Sequence, residues 1–433
     1  MRNYVLLQEY ILEEVISLFI VTKENIIPYM REHIRDFDDT ESVTVTVMGE
    51  DPEADEGEND GHINYVFKIV SPVRSYVLKQ GLEDPKNLHG GTSVAAYRNE
   101  AECDTLKILH YIVPEYVPEV IFQDRENHIF VLEYIENLRA VRFQLIKENQ
   151  IPNLGSDVGN FLARSSFYTS EFFLDRARFR SMQTQFENTE LRQIMEDGIF
   201  LDRFGTDLDK EAYHKWERFR QITDDPACQT NRLSLRRTFM THSDCLIHAD
   251  FHTSNVFLSD DGLKMLDFEF SFMGPFGYDM GYFTGSLIAA YCAACFKDYP
   301  TEQDRQQCKA YLLSTIKMLF ESYNHTFIEC WNSDAKEEYR NQEGFQNILL
   351  KEMLQDSVGY TAITNWCRTT DIWSLPEYKV IENEDARRYA MAMAVLMDHE
   401  MILQRNSFET VDDFIDMIIH FENTYVPLLM WDK

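Results

Sequence analysis

The chain has 433 residues, 44% of them hydrophobic and 13% aromatic, enough to bury the core of a large two-lobed unit or of two to three domains. Its formal net charge is −32. A field of that sign repels phosphate backbones and anionic bilayers, so nucleic acid and membranes are excluded as partners, and a nucleotide would need locally placed cations.

At the start of the chain, Arg2, Glu9, Glu13 and Glu14 interrupt the apolar residues, so no secretory leader is expected. The run 281–296 is too short to span a bilayer, which takes about 20 apolar residues, and reads as a buried helix. Eight scattered cysteines then predict reduced thiols in a cytoplasmic protein. Cys292 and Cys295 form one C-x-x-C. Without a second pair they read as small buried hydrophobes rather than zinc ligands.

Apolar residues at Tyr10, Ile11, Val15 and Phe19 fall at helical spacing, and the pattern predicts a helix from Met1 to about Arg35. The period then changes to two at Val43–Val47, as in a half-buried strand. The stretch Glu50–Asp60 holds seven acidic residues in eleven. It reads as a solvated surface loop, since it lacks the ligand order of a calcium loop. Further strands are expected at Ile63–Val70, Ser75–Lys79, Pro118–Gln123 and His128–Tyr134. One helix, Ser93 to Tyr111, lies between the third and fourth, with Thr92 or Ser93 as its cap. Beyond Glu136 the pattern is mostly helical, broken by a strand–turn–strand region from Cys245 to Phe270.

This order predicts an α+β bilobal fold: a small antiparallel β-sheet N-lobe with one packed helix, then a larger, mostly helical C-lobe, which the kinase-loop residues His248, Asp250 and Asn255 make protein-kinase-like. The expected divisions are a helical segment at 1–36, the N-lobe at 37–135 and the C-lobe at 136–433. Clefts between lobes are common ligand sites.

The strongest chemical signal is His248-Ala249-Asp250-Phe251-His252-Thr253-Ser254-Asn255, followed by Asp267-Phe268-Glu269. Phosphoryl transfer needs an oriented acceptor hydroxyl, held nucleotide phosphates and metal to meet the developing charge. Asp250 fits the carboxylate that accepts the hydroxyl proton. Asn255, five residues later, fits an amide oxygen on metal, and Asp267 a second acid that bridges metal and phosphates. The kinase-loop pattern H-x-D-x-x-x-x-N is met at each fixed position. Ser259-Asp260-Asp261-Gly262 reads as a hairpin turn that puts these groups on one small hairpin.

Upstream, Lys79 ends the third predicted strand, where a lysine holds α- and β-phosphates. Its expected partner is a glutamate of the next helix, Glu102 in preference to Glu100. Asp60-Gly61-His62-Ile63-Asn64 lies between the first two strands, where a phosphate-covering turn belongs, although it has one glycine rather than G-x-G-x-x-G. Glu133-Tyr134-Ile135 ends the fifth strand, where backbone groups would meet adenine.

The stretch from Leu266 through Asp267-Phe268-Glu269 and Met273-Gly274-Pro275-Phe276-Gly277-Tyr278-Asp279 to Gly281 resembles the 5-methylthioribose kinase signature, which has an acid-x-Glu motif where protein kinases have Asp-Phe-Gly. Ile151–Leu154, Phe161–Ala163 with Phe167–Ser170, and Asn188–Leu191 are similar to further blocks of that family. The resemblance runs from about Val43 to Arg405. It implies an ATP- and Mg²⁺-dependent kinase that phosphorylates the 1-hydroxyl of 5-methylthioribose in methionine salvage, as a homodimer. It also implies Asp250 as base, Asp267 and Glu269 on metal and phosphates, Lys79 and Glu133 to Ile135 on ATP, Arg368 on the sugar, and Asp279 as a brace of the catalytic loop.

The chain departs from the family in several places. Ala249 and Ser254 stand where it has glycines, Asn255 where it has serine, and His62 in its nucleotide-facing turn. The loop 81–91 lacks its usual residues. Cys367-Arg368 replaces two adjacent sugar-binding arginines, which leaves open another 5-modified pentose or small alcohol as acceptor. Two other readings are weaker. A metallohydrolase using His242, Asp244, His248, Asp250 and His252 lacks ligand spacing. A non-catalytic binding protein would not be expected to keep Lys79, Asp250, Asn255, Asp267 and Glu269.

Overall fold

A computed structural model of the chain describes residues 18–40, 42–48, 64–82, 96–201, 222, 225–370 and 375–430. The chain divides into two compact units, the first from residues up to Tyr134 and the second running mainly from Ile135 onward.

The first unit is a five-stranded antiparallel sheet. Its strands are β1 (Thr44–Val47), β2 (Tyr65–Val70), β3 (Ser75–Gln80), β4 (Val120–Asp124) and β5 (Ile129–Glu133), in the spatial order β1-β2-β3-β5-β4. All five expected strands are present within two residues of their sequence-read bounds. Period-two alternation is the reason: Phe67, Ile69, Tyr76, Leu78, Ile129 and Val131 all turn to one core. A helix, Ile26–His33, lays Ile26, Tyr29 and Met30 against that core.

The helix expected from Met1 to Arg35 is present over Ile26–His33 and absent over residues 18–25. Residues 1–17 lie outside the described residues, and 18–25 are not helical. Side chains of β3 and of the β4–β5 turn take the backbone groups that a helix would use there. Asn127 Oδ1 accepts from Phe19 N–H at 2.8 Å, Gln80 Nε2 donates to Phe19 O at 2.7 Å, and Gln80 Oε1 accepts from Val21 N–H at 2.9 Å. The acidic stretch 50–60, Gly61, His62, the loop 83–91 and the proposed cap Thr92 or Ser93 also lie outside the described residues.

The helix read after the third strand is Arg98–Ile112; Glu100 falls in the first unit and Ala101 onward in the second. The second unit is mostly helical. Its helices include Leu154–Tyr168, Pro226–Thr241, Tyr278–Phe296, Glu302–Asp334, Phe345–Thr370 and Glu384–Gln404. Nearly every residue of Tyr278–Phe296 is buried, as the apolar run implied. Among the described residues, no helix is long and apolar enough to cross a membrane.

Among the described residues, two small sheets sit in this unit. Strands β7 (Cys245–Ile247) and β10 (Phe272–Gly274) pair antiparallel, while β6 (Arg139–Ala140), β8 (Val256–Ser259) and β9 (Gly262–Met265) form the other. The helices around them pack closely through small residues. A Cβ on Gly281 would lie 2.6 Å from Ser357 O, and one on Gly285 2.9 Å from Thr364 Oγ1. Helices Tyr278–Phe296 and Phe345–Thr370 therefore meet backbone to backbone.

Candidate active site

The loop His248–Asn255 is carried between β7, buried throughout, and the β8–β9 hairpin, whose turn pairs Ser259 with Gly262 as the sequence implied. Beyond the hairpin, Leu266 N–H donates to Asn255 O at 3.1 Å. The ladder thus ends with Asn255 beside the strand that leads into Asp267. Sequence placed these residues on one hairpin, and the register brings them together.

Two side chains fix the loop. Asp279, at the start of the Tyr278–Phe296 helix, accepts from His248 N–H at 2.7 Å and Ala249 N–H at 2.9 Å. Burial pushes its carboxyl up, against the pull of His248 and those N–H groups. The His248 ring receives Asp250 N–H on Nδ1 at 3.3 Å and donates from Nε2 to Leu266 O at 2.9 Å. Ala249 and Asp267 both hold positive φ, +67° and +64°. Such backbone is strained for residues with a side chain and clusters at functional sites.

Asp250 itself is held on both oxygens. Tyr282 O–H donates to Oδ1 at 2.8 Å, and Asn255 Nδ2 lies 3.3 Å from Oδ2 and 2.9 Å from Asp250 O. His252 Nε2 lies 3.4 Å from Oδ2. Its Nδ1 accepts Ser254 N–H at 3.1 Å, so the neutral ring carries its proton on Nε2, toward Asp250. Burial, with the Arg368 cation next, brings His252 down to about 4, and the ring is neutral at pH 7. Burial opposes charge on Asp250, but the His252 N–H, the Arg368 cation and the Tyr282 hydroxyl outweigh it and hold the carboxyl well below the usual carboxylate range. About a quarter of the Asp250 side chain, 24%, stays exposed, so an acceptor can reach it.

The amide geometry bears on metal. Asn255 Nδ2 is occupied by Asp250, so its amide oxygen is the hard donor that this side chain has for a metal. Asp267 and Glu269 add carboxylates, the latter in the 3₁₀ turn Phe268–Phe270. Among the described residues, no group of three or more His, Cys, Asp or Glu could hold a metal by itself. An all-oxygen set of this kind fits Mg²⁺, which takes one or two protein carboxylates and completes its shell with water and phosphate oxygens.

The remaining expected residues lie as follows. Lys79 sits in β3, 8% exposed, opposite Val66 and Phe130. Asn64 is buried just before β2. Glu102 is buried in the Arg98–Ile112 helix, whereas Glu100 is engaged by Arg125 at 3.0 Å and His128 at 3.2 Å. Glu133 lies 3.8 Å from Arg74, and Tyr134 O–H accepts from Lys68 Nζ at 2.7 Å. Tyr134 N–H is taken by Ser75 O at 3.2 Å, so it is not available to adenine. Ile135 follows at the start of the second unit. Arg368, in the Phe345–Thr370 helix, donates from Nη1 to Tyr282 Oη at 3.0 Å. The histidines that suggested a metallohydrolase point to separate partners: His242 to Asp244, His248 to Leu266 and His252 to Asp250.

Sequence reasoning missed Tyr282, Arg142, Glu377 and the role of Asn188. Asn188 Nδ2 donates to Glu269 O at 2.8 Å and Ser271 O at 3.1 Å, clamping the Asp267–Glu269 turn. Arg142 Nε and Glu377 Oε1 form a buried pair at 3.0 Å, and both line a narrow niche with Tyr282 and Arg368. Tyr282 had one legible signal: it lies three residues after Asp279, so both fall on one helix face.

A kinase-type catalytic loop followed by the acidic pair Asp267 and Glu269, in a chain with an antiparallel sheet unit and a larger helical unit, defines a phosphotransferase. The profile of the phosphotransferase enzyme family (APH) matches residues 58–317. A methylthioribose kinase of Bacillus cereus (strain B4264) is 30% identical over 348 residues, 79% of this chain and 85% of that one. A methylthioribose kinase of Geobacillus thermodenitrificans (strain NG80-2) is 28% identical over 369 residues, 84% of this chain and 90% of that one. The chain belongs to the phosphotransferase enzyme family and, within it, to the methylthioribose kinase family. Among solved structures, a choline kinase of Cryptosporidium parvum Iowa II aligns with a TM-score of 0.45 at 16% identity, over 91% of this chain and 98% of that one.

Proposed function

We propose that this enzyme transfers the γ-phosphoryl group of ATP to the 1-hydroxyl of 5-methylthioribose, serving methionine salvage as a cytoplasmic homodimer. The observation that carries the chemistry is Asp250, held ionised and partly exposed between Tyr282, Asn255 and His252. Such a carboxylate orients the acceptor hydroxyl and takes its proton. The relatives' names support the sugar.

Asn255, Asp267 and Glu269 would hold Mg²⁺. When bound, magnesium neutralises charge on the phosphates during transfer. Lys79 is assigned to the α- and β-phosphates, Glu102 to that lysine, and Gly61, His62 and Asn64 to the covering turn. Glu133 and Ile135 keep a role at adenine, with Tyr134 contributing its side chain rather than its N–H. Arg368 is the cation for the sugar.

One observation favours a second acceptor, another 5-modified pentose or small alcohol. The Cys367 thiol is buried and donates to Gly198 O at 3.8 Å, so this position offers the sugar no cation.

The test is ADP release with ATP, Mg²⁺ and a panel of 5-methylthioribose, ribose, 5-deoxyribose and choline. Selective turnover of 5-methylthioribose is expected; preference for another member moves the assignment to that acceptor. Asp250→Asn should lower kcat by about 10²- to 10⁴-fold with ATP binding retained. Undiminished turnover would remove Asp250 as base.

A further inference from the structure

The two oxygens of the Asp250 carboxylate are not equivalent. Oδ1 receives a short bond, 2.8 Å, from the Tyr282 hydroxyl. Among the described residues, Oδ2 has Asn255 Nδ2 at 3.3 Å and His252 Nε2 at 3.4 Å, both at the long end of hydrogen-bond range. Tyr282 is 4% exposed and wedged by its ring neighbours, with Tyr278 5.9 Å and His252 5.9 Å between centroids. Its own oxygen is in turn fixed from behind: Arg368 Nη1 donates to it at 3.0 Å, and the guanidinium carbon lies 5.7 Å from the ring centroid. The close approach at Gly281 and Gly285 sets the two helices that carry Tyr282 and Arg368 against each other.

We propose that Tyr282 is a positioning residue that links Arg368 to the catalytic carboxylate and reserves Oδ2 as the atom that takes the acceptor's proton. The proposal rests on the reading of Asp250 as base. In the step it serves, the acceptor O–H bond breaks and its proton passes to Oδ2. The acceptor oxygen forms a bond to the γ-phosphorus of ATP, and the bond from that phosphorus to the bridging oxygen breaks, with ADP leaving with the electron pair. The Tyr282 hydroxyl donates to Oδ1 throughout and cannot also donate to the acceptor. Arg368 acts on the carboxylate through Tyr282, so the chain Arg368–Tyr282–Asp250 works as one unit.

The test compares Tyr282→Phe, Arg368→Gln, the double variant and Asp250→Asn, using the acceptor that the panel identifies. Tyr282→Phe keeps the ring, and retained ATP affinity by calorimetry reports that it is folded. Loss of one hydrogen bond to a charged group is expected to lower kcat by about 10- to 100-fold, with KM for ATP unchanged. Because the two residues act on Asp250 in series, kcat of the double variant at saturating acceptor should fall no further than that of the worse single variant, while the contact of Arg368 with the sugar is read separately in KM for the acceptor. Tyr282→Phe at full kcat beside an inactive Asp250→Asn overturns the positioning role and leaves the base assigned. Losses that multiply in the double variant overturn the link to Arg368. Full turnover in Asp250→Asn overturns the base reading itself.

Discussion

At the scale of single residues, the loop that carries Asp250 is over-determined by side chains, and this lets it hold unfavourable backbone. Ala249 sits at φ +67°, with its N–H locked onto Asp279. A left-handed conformation costs a residue with a Cβ about 1–2 kcal/mol, while glycine gives back roughly 0.5–1 kcal/mol through unfolded-state entropy. Ala249→Gly is therefore expected to leave stability unchanged or raise it by up to about 1.5 kcal/mol, as read by denaturant midpoint. A clear loss would show that the alanine methyl group packs productively enough to outweigh the strain. The sequence already marked this position, because Ala249 stands where related loops carry glycine. It could not show that the conformation persists without glycine; that follows from Asp279, thirty residues on, which accepts the N–H groups at both 248 and 249.

At the scale of elements, helix contacts in the second unit bury polar groups behind the site. Asp398, on the Glu384–Gln404 helix, is fully buried, and Asn365 Nδ2 of the Phe345–Thr370 helix lies 3.0 Å from each of its oxygens. Burial pushes the Asp398 carboxyl well above its ordinary value despite that contact. A carboxyl raised in the fold keeps a proton that the unfolded chain gives up. Its contribution to stability is full below the ordinary aspartate range and is lost as pH rises toward the folded value. Asp398→Asn removes this dependence, so the stability of the variant relative to wild type should grow between about pH 5 and pH 8, measured by urea denaturation. An equal change in both proteins would mean that Asp398 is ionised in the fold. The helices themselves were legible from their apolar periodicity. The Asn365–Asp398 pair was not, since a helical pattern identifies the buried face without naming what meets it.

At the scale of the whole molecule, a net charge of −32 sets the terms for binding another anion. ATP is expected to bind weakly without divalent metal and to gain affinity on adding Mg²⁺, more so at low ionic strength, where screening is weak. Calorimetry with and without EDTA checks this; equal affinity in both would show that protein cations alone hold the phosphates. The sequence by itself determined the order of units, the five strands, and the loop and hairpin that carry Asp250, Asn255 and Asp267. These are local patterns, readable because alternation, turn chemistry and fixed spacing act over a few residues. The first helix was read too long at residues 18–25 because distant side chains, Gln80 of β3 and Asn127 of the β4–β5 turn, claim the backbone there. Only the tertiary structure decided which groups complete the site. Tyr282 lies 32 positions from Asp250, Arg368 86 from Tyr282, Asn188 81 from Glu269, and Arg142 235 from Glu377. No local period couples residues so far apart; helix packing brings them within hydrogen-bond reach, and burial makes each pairing matter.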